Sequence, residues 1–75
     1  MQSVDLNSLK LLVSSATVRE ALVTPYRQGY QVKARWGHVE KSLRSQRDPI
    51  REFKTVSSAC KLLKDIGMQQ VTVVL

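Results

Sequence analysis

The sequence predicts a small α+β domain in the order α-β-β-β-β-α-β, an antiparallel sheet with two helices packed on one face. Three observations carry this reading. Val56, Ala59, Cys60, Leu63 and Ile66 recur at helical spacing and form one apolar stripe. Tyr30, Val32, Ala34 and Trp36 alternate with Gln31, Lys33 and Arg35, the period of a half-buried strand. After Gly67, Val71, Val73 and Leu75 alternate with Gln70, Thr72 and Val74 as a closing strand.

The elements follow in order. In the span Met1–Ser15, Asp5 can cap a short helix whose apolar face is Leu6, Leu9, Leu12 and Val13. The stretch from Ala16 to Thr24 is rich in β-formers and reads as a first strand. Its inward face stays open, because Val18 and Leu22 oppose Ala21 and Val23. Pro25 to Gly29 has turn composition. The strand Tyr30–Trp36 and the strand Val39–Leu43 are joined by Gly37-His38, a two-residue hairpin connection with Gly at its first position. Ser45 to Pro49 is a polar turn, and Ile50–Phe53 is expected as a brief fourth strand. Thr55 is the expected N-cap of the main helix, and Gly67 its terminator. The expected core is Leu9, Val13, Leu22, Val32, Ala34, Trp36, Leu43, Phe53, Val56, Ala59, Leu63, Ile66, Val71 and Val73.

Length confines this to a single compact domain over residues 1–75, near the lower limit at which one core suffices. No run approaches the roughly 20 apolar residues of a membrane span, and the start lacks the early positive charges of a secretory signal. One cysteine excludes an internal disulfide and fits a reducing compartment, so a cytoplasmic protein without membrane contact is expected.

Charge is the strongest global signal. Twelve Lys and Arg stand against 6 acids, net +6. The span from Arg27 to Lys64 holds ten of those bases and only Glu40, Asp48 and Glu52 as acids, so it alone carries +7. Such a field favours a polyanion or an acidic protein surface. Lys33 and Arg35 project from one strand face, and Lys41, Arg44, Arg47 and Arg51 follow in the next strand and turn. These six residues are the candidate binding patch, able to track a phosphate backbone. Arginine dominates the 44–51 turn, which suits bidentate phosphate or carboxylate contacts. Aromatic platforms for base stacking are few: Tyr26 and Tyr30 are candidates, whereas Trp36 and Phe53 read as core.

Catalytic patterns are missing from the chain. One histidine, His38, and one cysteine, Cys60, make a His/Cys zinc set impossible within one copy. Cys60 sits on the helix stripe, where a buried, inert thiol is expected. Neither a Gly-x-Ser-x-Gly elbow nor a phosphate-cradling glycine loop is present. Glu40, Asp48 and Glu52 are flanked by Lys or Arg, which suits ion pairs better than acid–base work. No catalytic residue, cofactor or metal ligand is therefore assigned.

Leu43-Arg44-Ser45-Gln46-Arg47, Arg51-Glu52-Phe53-Lys54-Thr55, Leu63-Lys64-Asp65-Ile66-Gly67 and the valine-rich end resemble small plasmid partition-associated proteins of the ParC type. The likeness spans nearly the whole chain and consists of small-domain residues. Where that family often shows Arg-Gly, this chain has Arg47-Asp48-Pro49, which changes the turn. The resemblance implies a non-enzymatic accessory role in plasmid maintenance, beside a partition ATPase and a centromere-binding protein. Two modes of action stay open: nucleic-acid binding through the basic hairpin, or a protein-interaction module that binds a partition protein or self-associates, with a homodimer compatible. Strand order is left open.

Overall fold

The computed structural model describes residues 3–75; Met1 and Gln2, where the expected opening segment begins, lie outside the described residues. The chain forms β1 (Ser3–Val4), α1 (Leu6–Ser14), β2 (Glu20–Tyr26), β3 (Gly29–Trp36), β4 (Val39–Leu43), α2 (Val56–Asp65) and β5 (Gln70–Val73). The five strands make one sheet in the order β1-β4-β3-β2-β5. This is the predicted small α+β domain, with corrections to its details.

The first correction concerns strand direction. The hairpins β2–β3 and β3–β4 are antiparallel, but β1 runs parallel to β4 and β5 parallel to β2. The cause lies in the connections. A helical crossover returns the chain to the end of the sheet from which the preceding strand began, so the next strand runs the same way. α1 performs that return between β1 and β2, and α2 between β4 and β5. The sheet is therefore mixed rather than antiparallel.

The second correction is the expected strand Ile50–Phe53, which shrinks to one bridge between Phe53 and Tyr30. Their backbones exchange both bonds, at 2.7 and 2.8 Å. Further along β3 that edge belongs to β4, so there is no edge left for residues 50–52. Gly29 makes the contact possible, because a methyl group there would run into the Phe53 carbonyl. The third correction is β1 itself, too short to leave a periodic signal.

The turns obey local chemistry. Asp5 caps α1 by accepting from the Ser8 amide at 2.7 Å, and Thr55 caps α2 by accepting from Ser58 at 3.1 Å. Both helices end in the same doubly bonded motif. Gly67 and Met68 donate to Lys64 and Leu63 after α2, and Ala16 and Thr17 donate to Val13 and Leu12 after α1. The residue at the bend is left-handed in each, Gly67 at φ 93° and Ala16 at φ 61°. Pro25 and Tyr26 belong to β2 rather than to the turn, which is Arg27-Gln28 alone. Pro25 is tolerated because β5 pairs with β2 only as far as Val23.

One sheet face holds Ala21, Val23, Val32, Ala34 and Leu43, and onto it pack Leu9 of α1 and Ala59 and Leu63 of α2. Both helices thus cover one face, as predicted. β2 turns Ala21 and Val23 inward, and Leu22 to the opposite face. Val13, Trp36, Val56, Ile66 and Val71 of the expected core lie at its margin, half-buried, as does Cys60. Val73 is exposed instead, because it ends the edge strand. Val4, Val18 and Met68 join the core from segments whose lengths leave no apolar period to read.

Candidate functional site

The six basic residues singled out from sequence do not form one patch. Lys33 and Arg35 stand on the face away from the helices, where the cross-strand register places Glu20 and Glu40 opposite Arg35. Glu40 reaches both cations, at 3.5 Å from Lys33 and 2.9 Å from Arg35. The Arg35 hydrogen bond holds the Glu40 carboxyl below its ordinary range, with Lys33 adding attraction. Beside them, the buried Gln31 accepts from the Ser42 hydroxyl at 3.1 Å. With two cations and two carboxylates, this face is close to neutral.

Lys41 is on the other side of the sheet. It pairs with Ala34, whose side chain points to the helices, and lies at the margin with Trp36 and α1. The signal was present in the chain. Counting outward from a two-residue Gly37-His38 turn pairs Trp36 with Val39, Arg35 with Glu40 and Ala34 with Lys41.

Arg44, Arg47 and Arg51 do converge. They line an open cleft of about 780 Å³ with Asp5, Leu6, Asn7, Ser45, Gln46 and Asp48. The loop that presents them is closed by its own bonds. Arg51 donates its amide to the Leu43 carbonyl at 2.8 Å, and the Arg44 amide donates to Val4 at 2.9 Å. Inside the loop, the Ser45 hydroxyl accepts from the Asp48 and Arg47 amides, at 2.9 and 3.3 Å. The Arg44 Nε donates to the Ser45 carbonyl at 3.3 Å, and the Arg51 guanidinium stacks on Phe53, 4.8 Å from the ring centroid. Arg47 sits on the exposed loop tip.

Two carboxylates share this cleft, Asp5 and Asp48, so the three arginines leave it positive by one. The Ser8 amide and hydroxyl hold Asp5 below the ordinary carboxyl range, and Arg44 attracts it further. Sequence reasoning identified Asp5 only as a helix cap. Its place beside Arg44 follows from the β1–β4 pairing, which has no local signature.

Among the described residues, no group of three His, Cys, Asp or Glu side chains is placed to hold a metal ion, and no helix is long and apolar enough to cross a membrane. The chain matches no family model, no curated protein and no solved structure.

Proposed function

We propose that this chain is a non-enzymatic binding module whose working surface is the arginine cleft at the 44–51 loop, and whose ligand is the phosphate backbone of nucleic acid. The convergence of Arg44, Arg47 and Arg51 on one open, loop-built cleft carries the reading. Guanidinium forks suit phosphate oxygens, and the small polar residues Asn7, Ser45 and Gln46 leave the cleft accessible. The paired cations Lys33 and Arg35 are assigned a structural role on their strand face. The setting, an accessory part in plasmid partition or maintenance, rests on the resemblance to ParC-type proteins alone.

The test is salt-dependent binding to duplex DNA. Arg47→Gln with Arg51→Gln should weaken binding and flatten the slope of log K against log salt by about 0.9 per lost phosphate contact. Lys33→Gln with Arg35→Gln should leave the slope nearly unchanged. The reverse pattern would return the site to the hairpin. No DNA binding by the parent chain, with salt-tolerant capture of a partition protein, would replace this reading by the protein-interaction one.

A further inference from the structure

The outer edge of β5 stands apart from the rest of the sheet. Parallel pairing with β2, with the Val74 amide bonded to the Val23 carbonyl at 2.9 Å, fixes its phase. Gln70, Thr72 and Val74 turn their backbone groups toward β2. Val71, Val73 and Leu75 therefore turn theirs outward, where the described chain supplies no neighbouring strand. Side chains repeat the message: Val73, Val74 and Leu75 are 41%, 48% and 85% exposed, three consecutive apolar residues.

Sheet edges are ordinarily guarded by charge, proline, a bulge or brevity. At the opposite edge, β1 spans two described residues and turns directly into α1. β2, β3 and β4 each carry at least one charged residue. Gln70 to Leu75 has no charge, no proline and no glycine.

We propose that this edge docks the same edge of a second copy, β5 against β5 in antiparallel register about a two-fold axis. Val73 then faces Val73 of the second copy and Val71 faces Leu75, each pair exchanging backbone hydrogen bonds, and the two sheets become one. Charge selects this occupant. An acidic protein or a nucleic acid finds no cation on β5 to meet. Two copies of a chain with net +6 repel most where bases face each other, and the neutral strand is where they approach with the least of that penalty. The arginine cleft follows β4, beyond β3 and β2 from this edge, so the proposal stands independently of the DNA-binding reading.

Sedimentation velocity of the whole chain across a wide concentration range tests this. The mass should rise from the 8.5 kDa monomer toward twice that value. Leu75→Lys places a lysine against the apolar Val71 of the second copy, on a side chain outside the fold's core, and should hold the protein monomeric with an unchanged circular dichroism spectrum. Val73→Pro deletes an outward N–H while sparing the bonds to β2, and should do the same; if that variant fails to fold, Leu75→Lys carries the test alone. A parent chain that stays monomeric at every concentration overturns the proposal. So does a dimer that survives Leu75→Lys but dissociates with Leu11→Lys, since that places the interface on α1.

Discussion

The Glu40 carboxylate accepts a 2.9 Å hydrogen bond from the Arg35 guanidinium across the β3–β4 hairpin. This contact turns what reads in sequence as a cationic strand face into a paired one. The arginines that converge lie instead in the loop that follows β4.

Glu40→Gln should expose that difference. The pair is partly exposed, so its loss should destabilise the fold by only about 0.2–1 kcal/mol. Freed of Glu40, Lys33 and Arg35 should add a weak, salt-sensitive affinity for polyanions that the parent chain lacks on this face. The pH dependence has a definite sign. A carboxyl whose folded pKa lies below its ordinary value, 4.5 for Glu40 and 3.8 for Asp5, stabilises the fold above that value. The contribution fades as pH falls past the ordinary value and on through the lowered one. Thermal melts should therefore lose stability on acidification in that range, and Glu40→Gln should shrink the loss. A melting temperature flat with pH there would contradict the pairing.

The two helix ends form a matched pair for a second measurement. Both place their bend residue in the left-handed region, where a side chain strains the backbone. Ala16→Gly should therefore stabilise the protein by roughly 0.5–1 kcal/mol, despite the added freedom of the unfolded chain. Gly67→Ala should destabilise it by about 1 kcal/mol or more, since φ 93° is further from what alanine accepts. Denaturant unfolding of the two variants reads both signs, and equal losses from both would refute the shared motif.

Phe53 links stability to the candidate site. It is buried in the core, its backbone pairs with Tyr30, and its ring carries Arg51. Phe53→Ala should cost roughly 3–5 kcal/mol, most of what a domain this small has. Phe53→Leu keeps the apolar volume and removes the aromatic face. It should remain folded while loosening Arg51; on the proposed DNA-binding reading, a weaker affinity at unchanged secondary structure would register this. An unchanged melting temperature for Phe53→Ala would place the ring outside the core.

Much of the local structure was legible in the chain alone. The apolar stripes of α1 and α2, the caps Asp5 and Thr55, the Gly37-His38 turn, the stop at Gly67 and the alternation of β3 all appear where the residues place them. Each depends on neighbours within a turn or two, so periodicity and backbone preference suffice to read it. The pairing of Arg35 with Glu40 and the separation of Lys41 from Lys33 were also encoded, in the length of the hairpin turn.

Tertiary structure alone decided the parallel pairings of β1 with β4 and of β5 with β2, the reduction of residues 50–53 to a single bridge, and the meeting of Asp5 with Arg44. In these cases the partners are far apart in sequence: helical crossovers bring the parallel strands, and Asp5 with Arg44, together, and the loop after β4 brings Phe53 back to Tyr30. Which strand edge receives them depends on which edges remain free once the hairpins have formed. That competition leaves no period in the sequence, because it is settled by the closing of the whole sheet over one core.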